Sequence, residues 1–274
     1  IKKNKLWKAT GPARSVIHFF GRQRERLSHC GGPKDVLRKI ANKKQQKSVM
    51  ESYGTGSFPD EERRKAERKT VFPNRVKISI LVPLWNNKRE FQIQMLDSVM
   101  NQTYENWELL LYDDGSKKEK AEKIWMISRM DPRIKYIRNN RNKGLAYALN
   151  VCISRAEGEY IARMDDDDEA FPERFEKQIA FLETNPQYSW AGCAAELIDA
   201  DGCWGIAMRP ECPDKKDFLK YSPYIHPGVT FRSQVLKDAH GYHISVWTAR
   251  CEDYELFMRL TASGYRGYNM QEPR

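Results

Sequence analysis

A short apolar run followed at once by four carboxylates constrains this chain more than any other feature. Residues 159–174 read EYIARMDDDDEAFPER, which predicts a buried strand at 160–164 and a helix that starts at Pro172. Carboxylates at the carboxyl end of such a strand face the crevice where open α/β sheets bind ligands, and four of them stay ionised together only beside a cation. Carboxylate oxygens are ligands that Mg²⁺ and Mn²⁺ prefer, and these ions in turn bind the oxygens of a diphosphate. A solvated acidic loop is the alternative interpretation.

After residue 75, apolar runs alternate with helical patterns, which predicts an α/β fold with a mainly parallel sheet flanked by helices. Strands are predicted at 78–82, 107–112, 134–137 and 160–164, and helices at 90–100 and 145–156, with residues 124–130 closing another helix between them. The first of these helices is expected to bury Phe91, Met95, Leu96 and Val99. Polar loops at 83–87, 113–116 and 165–168 follow strands, so they are expected to form a nucleotide site on one rim of the sheet. Neither GxGxxG nor a loop ending in GKS or GKT occurs, so a metal ion is expected to hold the diphosphate.

The basic charge of the chain is confined to its first part. Residues 1–75 hold 20 Lys and Arg against 7 Asp and Glu, a net charge of +13, which leaves 27 against 30, a net charge of −3, for residues 76–274. We therefore predict a basic N-terminal extension or linker at 1–75 and one catalytic-size domain at 76–274, with truncation at its C-terminus left open. The extension is interpreted as a solvated linker, a helical segment packed on the domain or a contact for an anionic membrane surface. Nucleic acid is not expected as a partner, because no recognised motif accompanies the charge.

The six cysteines form no CxxC pair and no cysteine–histidine cluster with zinc-ligand spacing. They are predicted to be reduced thiols in a cytosolic protein, with a disulfide between Cys203 and Cys212 as the alternative. No run of 18 apolar residues occurs, so no transmembrane helix is predicted.

Six motifs together carry a family resemblance. They are PLWNN at 83–87, YDDGS at 112–116, NKGLAYALN at 142–150, ARMDDDDEAFPERFEKQ at 162–178, HPGVTFR at 226–232 and CEDYELFMRL at 251–260. In this order and spacing they resemble family 2 glycosyltransferases of the GT-A fold, over about residues 76–274. The resemblance implies a Rossmann-like sheet and an inverting, metal-dependent transfer of a sugar from a nucleotide-sugar. The QxxRW motif of processive members does not occur in this chain.

The resemblance assigns donor-binding roles to the first two loops. Pro83, Trp85 and Asn86 belong to the loop that holds the nucleoside. In that loop Trp85 would stack on the base, and a plain core aromatic is the alternative. Asp114 matches the residue that accepts a hydrogen bond from uracil, which makes a UDP-sugar the expected donor. Asp113 is expected to contact the nucleoside or to cap the segment that follows it.

The acidic motif is expected to bind Mn²⁺ or Mg²⁺. By the resemblance, Asp167 matches the carboxylate that binds the ion, and Asp165 matches the first acid, near the ribose or the metal. Asp166 belongs to the same donor-binding group, although many relatives carry a small residue there. From the residues alone, Lys143 and Gly144 open a helix, where a cation and backbone amides favour phosphate; a surface turn is the alternative.

A second acidic motif is expected to supply the chemistry of transfer. The resemblance makes Asp253 the base that deprotonates the acceptor and Glu252 a residue that orients the site or meets the acceptor. The alternative for Asp253 and Glu252 is that each only complements the dipole of the helix that it opens. His226, at the predicted start of an apolar strand, is expected to reach the metal or the acceptor, or else to be structural. Arg163, beneath the acids, is expected to neutralise them.

The resemblance is nearest to bacterial enzymes that build capsule, O-antigen or other surface polysaccharide. It implies a glycan or lipid-linked acceptor and a cytoplasmic location, peripheral at the inner face of the cell membrane. Two other functions are left open. A sugar nucleotidyltransferase shares a related sheet, but its glycine-rich signature is missing after the first strand. A non-catalytic glycan-binding or membrane-surface module on the same fold would not need Asp165, Asp167 and Asp253.

Overall fold

The computed structural model describes residues 76–199 and 202–274. The predicted basic extension 1–75 lies outside the described residues, and with it the choice between a linker, a packed helical segment and a membrane contact. In the part that is described, no helix is long and apolar enough to cross a membrane.

The described part of the chain begins with the predicted alternation of strands and helices. The strands are β1 (Ile78–Leu84), β2 (Trp107–Asp114), β3 (Ile134–Asn139), β4 (Tyr160–Arg163), β5 (Trp190–Asp199), β6 (Gly202–Ala207), β7 (Thr230–Arg232) and β8 (Gly267–Pro273). The helices are α1 (Arg89–Met100), α2 (Lys118–Ser128), α3 (Leu145–Arg155), α4 (Arg174–Thr184), α5 (Ser233–Asp238) and α6 (Glu252–Ala262). Short 3₁₀ turns at Asp217–Leu219 and His226–Gly228 precede β7.

All the strands belong to one sheet with the order β3-β2-β1-β4-β7-β5-β6, in which β8 pairs with β5. The neighbours β3, β2, β1 and β4 are parallel, which confirms the predicted parallel sheet in this half. β7 runs antiparallel to both β4 and β5, and β6 runs antiparallel to β5. Because parallel strands share their carboxyl end, the loops after β1 to β4 leave the sheet at one edge.

Helices cover both faces of the sheet. Every residue of β2 is buried, as is every residue of β1 except the partly buried Pro83, the pattern expected of parallel strands between two helical layers. α1 and α4 cover one face through Met95 and Phe175. α3 and α6 cover the other through Leu149 and Phe257. The packing of Phe257 holds the first turn of α6 in place relative to the sheet.

Three predicted details are wrong. α1 buries Gln92 in place of Phe91, since residues 92, 95, 96 and 99 form its inward face. α4 begins at Arg174 and not at Pro172. The Pro172 carbonyl accepts a hydrogen bond from the Thr103 N–H (2.9 Å) and not from an N–H of the helix. His226 lies in a 3₁₀ turn and not at the start of β7, because the proline that follows it has no N–H to donate to a sheet.

The cysteines that the structure describes are free thiols: Cys152, Cys193, Cys203, Cys212 and Cys251. Burial raises the pKa of Cys152 to about 12 and also raises the pKa of Cys193, which keeps both thiols protonated. The predicted reduced state is therefore confirmed for these five, and the alternative disulfide between Cys203 and Cys212 is not formed. Cys30 lies outside the described residues.

Candidate active site

Hydrogen bonds tie the loops after β1, β2 and β4 together at the carboxyl edge of the sheet. The Asn86 N–H donates to Ser116 Oγ (2.9 Å), and the Lys117 N–H donates back to Asn86 Oδ1 (2.9 Å). Asn86 holds this position with a left-handed backbone, φ 54°. Asn87 Nδ2 donates to Asp166 Oδ1 (2.8 Å). The three polar loops predicted to converge therefore do so.

Asp166 is buried between two side-chain amides. Besides the bond from Asn87, its Oδ2 accepts Gln92 Nε2 (2.9 Å). Burial raises the pKa of Asp166 to about 7, against the opposing effect of the two amide donors. Each of its oxygens accepts one of these bonds, so Asp166 links the acidic loop to α1. Its contact with the donor stays a prediction. Sequence reasoning missed Gln92, although a polar residue on the inward face of α1 was the signal for it.

The two aspartates that end β2 are buried and accept hydrogen bonds from the chain itself. Asp113 Oδ1 accepts the Ser116 N–H (2.7 Å), as in the capping alternative, and its Oδ2 accepts the Tyr136 hydroxyl (2.5 Å). Asp114 Oδ2 accepts the N–H groups of Lys143 and Gly144, both at 2.8 Å. Asp114 thus orients the loop that enters α3, and its contact with uracil stays a prediction.

Lys143 and Gly144 lie directly before α3, as predicted. The Lys143 ammonium is 4.2 Å from the centroid of the Tyr147 ring and 3.1 Å from its hydroxyl, one turn into the helix. Phosphate binding there stays a prediction, which the positive end of the helix favours.

Gly115 allows β2 to turn into this part of the site. Its φ is 78°, and a Cβ there would lie 2.6–2.8 Å from backbone atoms of Arg141 and Asn142. Gly115→Ala is expected to lower the free energy of unfolding by roughly 2 kcal/mol, because strain at positive φ adds to a clash with backbone. Gly264→Ala is the matched control, since Gly264 has φ 91° and open space around the Cβ position. Equal losses of stability in urea would show that the contact with residues 141–142 is unimportant.

Trp85 follows β1 directly, and 58% of its surface is exposed. This exposure excludes the alternative of a plain core aromatic and leaves a ring face available at the ligand-binding edge. Pro83, of the same predicted group, lies within β1 opposite Tyr112 of β2. Stacking of Trp85 on a base stays a prediction.

Arg163, the last residue of β4, is a buried cation of the site. Its side chain is 4% exposed, and Nη2 lies 2.6 Å from Asp165 Oδ1. Burial lowers the pKa of Arg163, but the Asp165 carboxylate outweighs that effect, so the guanidinium stays charged. Among the described residues, its Nε and Nη1 have no hydrogen-bond partner. The prediction that Arg163 neutralises the acids is confirmed at Asp165.

The first turn of α6 adds two carboxylates, Glu252, which is buried, and Asp253, which is partly buried. Burial raises the pKa of both groups, and Arg163 opposes the rise in each case. The charge of Asp165 raises the pKa of Asp253 further. Asp253, Arg163 and the acidic loop therefore act on one another within one electrostatic site, and a carboxylate of raised pKa is a stronger base.

His226 is buried beside the same site. Its Nε2 shares a 2.7 Å hydrogen bond with the Tyr242 hydroxyl, and its ring lies edge-on to Phe257. Burial lowers the pKa of His226 well below its usual value, with Arg163 acting in the same direction, so the imidazole is neutral. One ring nitrogen is thus engaged by Tyr242, a partner that sequence reasoning missed. Contact with a metal or an acceptor stays a prediction.

The acidic loop offers the oxygen ligands that Mg²⁺ and Mn²⁺ prefer. Asp165 and Asp167 are partly exposed carboxylates. Within residues 76–199 and 202–274, no three acidic, histidine or cysteine side chains converge as a ready-made metal cage. Mg²⁺ is commonly held by one or two carboxylates together with substrate phosphates, so these two aspartates fit the ion if a diphosphate supplies further oxygens.

The sequence matches the model of the family described as Glycosyl transferase family 2 over residues 79–238, more than half of the chain. EpsE of Bacillus subtilis, named as a glycosyltransferase, is 38% identical over 198 residues, which cover 72% of this chain and 70% of EpsE. The amylovoran biosynthesis glycosyltransferase AmsE of Erwinia amylovora is 30% identical over 200 residues, which cover 71% of this chain and 73% of AmsE.

Solved structures share the fold. S. aureus TarS in complex with UDP gives a TM-score of 0.59 at 20% identity, over 71% of this chain and 57% of that chain. The mannosyltransferase PcManGT from Pyrobaculum calidifontis, in complex with GDP-Man and Mn²⁺, gives a TM-score of 0.55 at 16% identity, over 87% of this chain and 67% of that chain. Both are GT-A structures, which confirms the predicted fold. Together with the family match, this shows that the chain belongs to glycosyltransferase family 2.

Proposed function

We propose that this chain is an inverting glycosyltransferase that moves a sugar from a UDP-sugar to a hydroxyl of a glycan or lipid-linked acceptor in the synthesis of a bacterial surface polysaccharide. The observation that carries the proposal is the position of Asp253 in the first turn of α6, close enough to Arg163 and Asp165 that both charges act on its pKa. This position supports a base of raised pKa near an acidic loop suited to the donor. The similarity to AmsE, which is named for amylovoran biosynthesis, supports a role in polysaccharide synthesis. We assign the reaction to the cytoplasmic face of the membrane.

In the proposed reaction, Asp253 accepts the proton of the acceptor hydroxyl while that oxygen attacks the anomeric carbon. Attack comes from the face opposite the nucleotide. The bond from this carbon to the diphosphate oxygen breaks as the glycosidic bond forms, so the configuration inverts and the diphosphate leaves with the electron pair. Asp165 and Asp167 would hold Mn²⁺ or Mg²⁺, which when bound offsets the charge that develops on the diphosphate. Trp85 offers its exposed face to the base, and Glu252 orients the site or meets the acceptor.

Calorimetric titration with UDP, with and without Mn²⁺, tests the donor site. UDP is expected to bind with Mn²⁺ and to bind roughly 30-fold more weakly in Asp167→Ala, because removal of one partner of a charged contact costs about 2 kcal/mol or more. Asp97→Ala, an exposed aspartate on α1, is the control and should bind UDP normally.

Two outcomes would contradict parts of this proposal. GDP binding without UDP binding would overturn the assignment of UDP, and the complex of PcManGT with GDP-Man makes GDP the informative competitor. Equal affinity for UDP with and without Mn²⁺ would overturn the role of the metal.

A further inference from the structure

The loop that leads into α6, residues 243–251, exposes three apolar side chains within four positions. Ile244 is 61% exposed, Val246 is 85% exposed and Trp247 is 87% exposed. Exposed apolar residues scattered singly are ordinary on protein surfaces, whereas a contiguous group marks an interaction site. The loop also leads directly into the turn that carries Asp253, so whatever it contacts lies beside the proposed base.

The backbone of this loop is held by its own hydrogen bonds. Thr248 Oγ1 donates to the carbonyls of His243 (2.9 Å) and Ser245 (3.2 Å), and the Cys251 N–H donates to the Thr248 carbonyl (3.0 Å). The Trp247 N–H donates to Ser245 Oγ (3.1 Å). The apolar side chains therefore project from an ordered turn, and they are not exposed through lack of local structure.

One more exposed apolar residue, Leu219, lies in a segment that contacts the same turn of α6. Leu219 is 84% exposed, and the carbonyl of its neighbour Phe218 accepts the hydroxyl of Tyr254, on the first turn of α6. Exposed basic side chains lie within these two segments or directly beside them in the sequence: Lys215, Lys216, Lys220 and Arg250. The nearby acids Asp214 and Asp217 are engaged by backbone N–H groups of their own turn. Both segments thus expose apolar side chains together with basic ones next to the first turn of α6.

We propose that loop 243–251, together with Leu219, contacts an anionic lipid bilayer, with Ile244, Val246 and Trp247 entering the boundary between headgroups and acyl chains. Trp is favoured at that boundary, and Lys and Arg are favoured against anionic headgroups. The Trp247 ring has a face that can stack on a sugar, but the branched side chains of Ile244 and Val246 have none, so a lipid surface suits the whole group better than a glycan. The contact would set Asp253 next to the bilayer, so it favours the lipid-linked acceptor over a free glycan. This choice of acceptor rests on the function proposed above.

Fluorescence quenching by lipids brominated in their acyl chains tests this contact on the full chain. Vesicles of brominated phosphatidylglycerol and phosphatidylethanolamine quench only a Trp that enters the hydrocarbon. Quenching is expected in the parent protein and is expected to disappear in Trp247→Phe, which keeps an apolar ring but removes the reporter. Trp125→Phe is the matched control, because Trp125 is 46% exposed on α2, away from the loop. Trp7→Phe reports on the basic segment 1–75, and both controls should keep the quenching.

A second variant measures binding instead of fluorescence. Ile244→Ser with Val246→Ser is expected to lower vesicle partitioning on the order of tenfold at high salt, where attraction of the basic segment is screened but apolar insertion is not. Quenching that survives in Trp247→Phe and disappears in Trp7→Phe would overturn the proposal, as would unchanged partitioning of the serine variant. UDP titration separates this proposal from the preceding one, since Trp247→Phe should bind UDP normally. Insertion without UDP binding in any form would refute the donor assignment alone.

Discussion

Asp253→Asn is expected to lower the rate of sugar transfer by about 10²- to 10⁴-fold, the contribution of a general base, while UDP binding stays close to that of the parent protein. The amide has the shape of the carboxylate but cannot accept the proton of the acceptor hydroxyl. Transfer rate and UDP affinity, measured on the same preparation, separate loss of chemistry from loss of the donor site. An unchanged rate would remove Asp253 from its proposed role and would leave the base to be found elsewhere in the site.

The same substitution is not expected to weaken the fold. Burial raises the pKa of Asp253 in the folded state above its value in the unfolded chain, so ionisation of this group destabilises the protein as the pH rises through the raised pKa. At neutral pH the uncharged amide removes that penalty, and Tm should stay the same or rise. The acidic limb of the transfer rate against pH should likewise lie above the usual range for an aspartate.

Glu255→Gln is the matched control for the helix dipole. Glu255 is another acid in the first turn of α6, and its carboxylate lies 2.8 Å from Arg259 Nε and 2.9 Å from His243 Nδ1. If Asp253 served only the dipole, both substitutions would cost similar stability, about 0.3–1 kcal/mol, and neither would change the chemistry. Similar losses of stability with an unchanged transfer rate in both variants would therefore favour the dipole over the base.

The parallel half of the fold could be predicted from the sequence because three of its strands, β1, β2 and β4, are buried between helical layers and read as apolar runs before polar loops. β3 is the partly buried edge strand, and the predicted ends of all four strands lie within two residues of the observed ones. The half formed by β5 to β8 gave no comparable signal. β7 has three residues, and its pairing with β4 and β5 depends on neighbours far away in the chain.

The sequence indicated which loops form the site but not how each acid is used. Four consecutive aspartates are equivalent in a sequence, whereas the fold buries Asp166 between amides and leaves Asp165 and Asp167 partly exposed. The partners that decide this are distant in the chain: Gln92 lies 74 residues from Asp166. Periodicity reports which face of an element is inward, but it does not report which polar side chains will meet there.

Asp165→Asn is expected to lower the free energy of unfolding by about 3 kcal/mol, at the low end for breaking a buried ion pair, because Asp165 itself is 38% exposed. The amide can still accept a hydrogen bond from Arg163, but it no longer balances the charge of a guanidinium that burial has removed from water. For a domain of this size, the loss corresponds to a fall in Tm of roughly 6–12 °C. Urea denaturation and calorimetry measure both quantities.

Arg163→Met distinguishes this explanation from a general sensitivity of the acidic loop. Removal of the buried cation leaves Asp165, which water can reach, so the single change should be less destabilising than Asp165→Asn. The double variant should be more stable than the sum of the two losses predicts, with a coupling of about 1–3 kcal/mol. If Arg163→Met were the more destabilising single change, packing of the Arg163 side chain, and not its charge balance with Asp165, would be what matters. In that case Asp165 would be free to serve the metal alone.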